Sequence, residues 1–118
     1  MSITNVLLTI LCVFGISSGQ VLFKIAARSA TASTDVLTMG RDLAFNPYLI
    51  TGLIVYVATT FLWIWLLRTV PLSVAYPFMA LAFLFVPLMG AAFLGEPISI
   101  RTAVGAALII SGIWVIAR

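Results

Sequence analysis

The chain has 118 residues, 64% of them hydrophobic and only 8% charged, with a mean hydropathy of +1.27. A soluble domain is usually about one-quarter charged, so six basic and three acidic residues exclude that class and leave the bilayer as the solvent. There is no His, and the single Cys12 lies in an apolar run, which removes the usual ingredients of catalytic triads, zinc sites and intramolecular disulfides. At about 20 apolar residues per span, four or five helices use up the whole length, with no room for an enzymatic domain. No metal or cofactor is therefore expected. The net charge of +3 is spread singly along the chain, which suits topology and anionic headgroups rather than nucleic acid.

The first apolar run extends from about residue 3 to 27. A polar loop, 28–47, follows, and within it Asp35 to Phe45 suits one or two interfacial turns with Val36, Leu37, Leu43 and Phe45 toward lipid. Asn46 before Pro47 has the form of an N-cap with proline at the first helical position, opening a second span over 48–67. Arg68 ends it. After a short turn, Pro71 starts a third span over 72–94, so spans two and three are antiparallel neighbours. Gly95-Glu96-Pro97 breaks the chain, and a fourth span covers 100–117. The expected fold is an all-α integral membrane bundle of four transmembrane helices in a single domain. A cleaved signal peptide is the alternative for span one, because Ala30-Thr31-Ala32 is an A-x-A sequence. Against it stand an n-region without a charged side chain, a long apolar run and Lys24 near the end of that run.

Alternating spans place Lys24, Arg28, Arg41 and Arg101 on one side of the membrane and Arg68 and Arg118 on the other. The excess predicts a cytoplasmic long loop and both termini outside, by a margin small enough to leave dual insertion open.

At about 100° per residue, Ser17, Gln20, Lys24 and Arg28 fall within a sector of about 80° on span one. The opposite side carries Gly15 and Gly19, whose spacing permits another helix to approach closely while the polar side faces a cavity. Lys24 and Arg28 have two readings, as substrate ligands or as cations that snorkel to headgroups. Span two gathers Gly52, Tyr56, Thr59, Thr60 and Trp63 on one side, as a binding or a packing face. Span three carries Tyr76, and its Pro77 and Pro87 deprive the carbonyls of Ser73 and Phe83 of their intrahelical donors. Freed carbonyls in a membrane require a partner or a wet cavity, which marks both prolines as candidate kinks or gates. Gly105 and Gly112 share one face of span four and predict a dimer contact there.

No Asp or Glu lies in the interior of a span, which removes the usual carboxylate of proton-coupled export. Glu96, at a span end, is placed to pair with Lys24 or Arg101, or to end the helix beside Pro97.

In order along the chain, Gly19-Gln-Val-Leu-Phe-Lys24, Pro71-Leu-Ser-Val-Ala-Tyr-Pro77, Gly95-Glu-Pro97 and Gly105-Ala-Ala-Leu-Ile-Ile-Ser-Gly112 resemble a small member of the drug/metabolite transporter superfamily, which includes the EamA-like and small multidrug resistance proteins. The resemblance covers nearly the whole chain. It is strongest to the two small subunits of the aminoarabinose-phosphoundecaprenol flippase. A second resemblance, to small multidrug resistance exporters, lacks two of their features, because their first-helix carboxylate falls at Ile16 and their third-helix tryptophan at Met79.

The resemblance implies a transporter subunit, not an enzyme, that flips an undecaprenyl-phosphate-linked sugar across the bacterial inner membrane. It also implies a homodimer or a heterodimer with a paralogous subunit. Such a substrate needs a cation near the surface, a polar crevice and lateral access for its tail. Lys24 and Arg28 are the candidates for its phosphate. Ser17, Gln20, Tyr56 and Thr59 are candidates for the sugar's route, Tyr76 with Pro77 for a gate, and Glu96 belongs to a shared element. A small-metabolite or drug exporter, and a non-transporting accessory subunit that recruits a partner, stand as alternatives.

Overall fold

A computed structural model describes residues 2–29 and 35–117. Ala30-Thr31-Ala32 lies outside the described residues. Everything regular in it is helical: α1 (Ile3–Ser29), α2 (Val36–Ala44), α3 (Pro47–Leu67), α4 (Leu72–Ala75), a 3-10 segment (Tyr76–Leu81), α5 (Ala82–Phe93) and α6 (Ile100–Ala117). Helices α1, α3 and α6, together with the composite Leu72–Phe93, give four segments long and apolar enough to cross a membrane. The all-α, four-span architecture expected from the hydropathy pattern is present.

Two elements differ from expectation. The loop after span one holds a nine-residue helix rather than one or two turns. Asp35 caps it, accepting from the Leu37 N–H at 3.1 Å and the Thr38 hydroxyl at 3.0 Å. Val36, Leu37 and Phe45 project outward from α2, while Leu43 is half-buried. Span three is not one α-helix. Pro77 lacks the N–H that would bond to Ser73, and the chain tightens at Tyr76 into six residues of 3-10 helix before α5 resumes. Pro87 sits within α5 without ending it.

The start of α3 follows the capping logic of its sequence. Asn46 accepts from the Tyr48 N–H at 2.9 Å, with Pro47 at the first position. The same side chain donates from Nδ2 to Ser29 Oγ at 2.8 Å, which ties the end of α1 to the start of α3.

The tightest packing is between α1 and α3. A methyl group at Gly15 would stand 2.5 Å from Thr59 Oγ1, one at Gly19 would stand 3.2 Å from the Tyr56 ring, and one at Gly52 would stand 2.9 Å from the Phe23 ring. Lipid tails are as apolar as Leu, so helices in a bilayer gain by close van der Waals contact, which small residues allow. A second cluster joins α1, the 3-10 segment and α6, where Val13, Phe78 and Ile113 are buried against Ile10, Phe85 and Ile109. Helix α6 otherwise stands apart, with Val104, Leu108, Trp114 and Val115 all more than half exposed.

Candidate functional site

The polar side chains of α1 do not act as one stripe. Ser17 is fully buried and its hydroxyl donates to the Val13 carbonyl at 2.7 Å. Gln20 and Lys24, by contrast, are open to the surroundings and make no hydrogen bond or ion pair with any described residue. They line a pocket of about 240 Å³ between α1 and α5 together with Val21, Val86, Gly90, Leu94 and Glu96. One turn further on, Arg28 contacts two of the lining residues. Its Nη2 lies 3.5 Å from Glu96 Oε1, and its Nη1 donates to the Leu94 carbonyl at 3.2 Å.

Glu96 therefore pairs with Arg28, not with Lys24 or Arg101 as its position in the chain suggested. The reason lies in two glycines. Gly95 adopts φ +68°, a left-handed conformation that glycine reaches without steric cost, and it turns the chain back on α5. The Glu96 N–H then reaches the Gly90 carbonyl at 3.1 Å. Gly90 leaves space for the incoming side chain, because a methyl there would stand 3.0 Å from Glu96 Oε2. Sequence reasoning missed Gly90 as the seat of Glu96. The available signal was a small residue in the last turn of a helix that ends in Gly-Glu.

The pair is weak in itself. With both side chains nearly half exposed, 49% and 44%, and a single long contact, it contributes on the order of 0–1 kcal/mol. It fixes the placement of the carboxylate more than it stabilises the fold.

Apolar surface flanks the polar pocket. Through Val21 it adjoins a groove of about 340 Å³ between α1 and α5, formed chiefly by Phe14, Leu22, Met89 and Phe93. Through Gln20 and Val86 it adjoins a second apolar groove that runs past Phe83 and Pro87. Neither groove was foreseen, because each depends on how α1 and α5 lie together.

The remaining candidates are placed elsewhere. Thr59 is 8% exposed and donates to its own Val55 carbonyl at 2.7 Å, beneath Gly15. The Tyr56 ring lies against Gly19 and tilts toward Phe23, with centroids 6.0 Å apart. A route past these residues would require α1 and α3 to part. Tyr76 is 65% exposed at the α4 boundary and does not join the pocket. Nothing lies within 4 Å of a methyl built at Gly105 or Gly112, so that face of α6 is open. Among the described residues, no group of three His, Cys, Asp or Glu side chains is placed to hold a metal.

Comparison with known proteins matches residues 34–118 to the EamA-like transporter family. A relative in Enterobacter sp. strain 638, named "Probable 4-amino-4-deoxy-L-arabinose-phosphoundecaprenol flippase subunit ArnE", is 50% identical over 52 residues, so the match spans about half that protein's length, 49%. The ArnE subunit of the same description from Salmonella typhimurium LT2 is 36% identical over 98 residues, 83% of each chain. The corresponding ArnF subunit of Proteus mirabilis is 35% identical over 69 residues, 57% of this chain and 52% of its own. No solved structure matches the chain. With a family match over most of its length and four membrane-spanning helices, the chain belongs to the EamA-like transporter family, and is a multi-pass membrane transporter rather than an enzyme.

Proposed function

We propose that this chain is a subunit of a flippase that moves an undecaprenyl-phosphate-linked sugar across the bacterial inner membrane. The observation that carries the reading is the uncommitted Lys24 in a polar pocket that passes directly into apolar grooves. A lipid-linked sugar phosphate has the same division. Its phosphate meets Lys24, its sugar meets Gln20, and its isoprenoid tail leaves along Val21 toward Phe14 and Phe93 or into the surrounding lipid. Arg28, against Glu96 and Leu94 of the pocket wall, supplies a second cation. The names of the ArnE and ArnF relatives support the same substrate class. The absence of acidic residues from the span interiors disfavours export of a cation, which would find no counter-charge there.

Orientation belongs to the same proposal. The excess of basic residues on the side of the long loop supports a cytoplasmic loop, with the Lys24 end of α1 on the side where a lipid-linked sugar would load. The test is native mass spectrometry of the protein purified in mild detergent, followed by reconstitution into vesicles. A retained or added polyprenyl phosphate sugar should remain bound and cross the bilayer; a protein that neither binds nor moves it is not this flippase.

A pocket of about 240 Å³ on one chain is small for a sugar phosphate, and a second subunit would enlarge it. The open Gly105 and Gly112 face of α6 is the surface proposed for that contact, with a second copy or a paralogous subunit as the occupant. Gly112→Leu is expected to shift the purified protein toward monomer on size-exclusion chromatography with light scattering. An unchanged dimer would remove this face as the interface.

A further inference from the structure

Helix α2 stands outside the four spans and lines no part of the polar pocket. Its nine residues nevertheless sort cleanly by face. At about 100° per residue, Met39, Leu43, Val36, Gly40, Ala44 and Leu37 follow one another around an arc of about 160°, and Arg41, Thr38 and Asp42 occupy the remainder. The protein itself covers little of that arc. Val36 and Leu37 are 81% and 83% exposed, a methyl built at Gly40 meets nothing within 4 Å, and Leu43 is only half-buried. An apolar face of this kind is unfavourable in water and calls for an occupant.

The joint between α2 and α3 fixes where that face sits. Only Phe45 and Asn46 separate the two helices. The Asn46 backbone N–H donates to the Leu43 carbonyl at 3.1 Å, its Oδ1 accepts from the Tyr48 N–H, and its Nδ2 donates to Ser29 at the end of α1. One residue thus joins the ends of three helices. Two of them, α1 and α3, are membrane spans, so the end of α2 is held at the level where those spans leave the hydrocarbon. At nine residues and about 14 Å, α2 is too short to cross the bilayer itself. We propose that α2 lies flat in the headgroup region with its apolar face against the acyl chains, as an interfacial anchor for the joined ends of α1 and α3. The occupant is lipid rather than another protein, because a face pinned beside two span ends meets the surface of its own membrane without any further partner. Arg41 is offset by Asp42 and by the Asp35 cap, so docking rests on apolar burial and requires no anionic headgroup.

The test is spin-label accessibility along α2 in the full-length chain, in a Cys12→Ala background, reconstituted into phosphatidylcholine vesicles with and without phosphatidylglycerol. Labels at Val36→Cys and Gly40→Cys should collide with dissolved oxygen, be shielded from a water-soluble nickel chelate and report a depth of about 5–10 Å into the headgroup and acyl boundary. Labels at Thr38→Cys and Arg41→Cys should show the reverse, in both lipid mixtures. Val36→Asp combined with Leu37→Asp removes the most exposed apolar surface while placing acids in the first turn, where a helix favours them. In that variant the Gly40→Cys label should lose its depth and become open to the chelate. Equal chelate access on both faces, or a Gly40→Cys label that keeps its depth beside the two aspartates, overturns the inference. Shielding of the apolar face from both reagents overturns it in favour of a protein occupant such as a second copy. A depth that appears only with phosphatidylglycerol overturns it in favour of docking by charge.

Discussion

Lys24→Ala should reduce transport of a polyprenyl-phosphate-linked sugar by roughly 10- to 150-fold, corresponding to the loss of about 1.5–3 kcal/mol from one hydrogen bond to a charged group. Folding and assembly should be unaffected, because Lys24 makes no hydrogen bond or ion pair with any described residue. The structure sharpens the choice between ligand and anchor. A snorkelling cation can be replaced by its neighbour Arg28, whose contacts to Glu96 and the Leu94 carbonyl are exposed and weak, whereas a positioned phosphate ligand cannot. Lys24→Arg distinguishes the cases further. A headgroup anchor tolerates a longer, planar cation, whereas a fitted phosphate contact beside Gln20 should lose much of its rate. Translocation in reconstituted vesicles, normalised to inserted protein, is the measurement. Normal transport by Lys24→Ala would falsify the assignment and shift the phosphate to Arg28 or Arg101.

Gly15→Leu should cost about 3 kcal/mol or more, the upper range for overpacking a close interface. Even the first added carbon would stand 2.5 Å from Thr59 Oγ1. Thr59 has no easy escape, since rotating its β-branched side chain breaks the 2.7 Å bond to the Val55 carbonyl. The strain would instead separate α1 from α3, the helices that also carry the Gly19 to Tyr56 and Gly52 to Phe23 contacts. Thermal unfolding in detergent should show a clear loss of stability, and expression should fall. Gly40→Ala is the matched control, because a methyl group at that position meets nothing within 4 Å. If Gly15→Leu melts with wild type while Gly40→Ala does too, the close α1 and α3 contact does not hold in the membrane protein.

Much of the fold was legible because the bilayer leaves few alternatives. A backbone in lipid must satisfy its own hydrogen bonds, so a run of about 20 apolar residues becomes a helix. The four spans, the Asn46 cap before Pro47 and the small-residue side of α1 all follow from local sequence. So does the ladder of Gln20, Lys24 and Arg28, whose spacing of four places them along one helix face. Periodicity described a face but not what would cover it. Ser17 shares the sector of Gln20 yet is fully buried, and Tyr56 and Thr59 lie in a packing interface.

The sequence alone determined how many helices there are and which residues each presents, because those properties depend on bonds within a few turns. Which residues meet depends on how the helices pack. Glu96 joined Arg28 because one glycine, Gly95, reversed the chain and another, Gly90, made room on a helix already ended. The two apolar grooves beside the polar pocket depend in the same way on how α5 lies against α1. A three-residue change in register would leave every span intact and dissolve that pocket, since a site built from two separate stretches of the chain, 20–24 and 86–96, is a property of distances that neither stretch encodes.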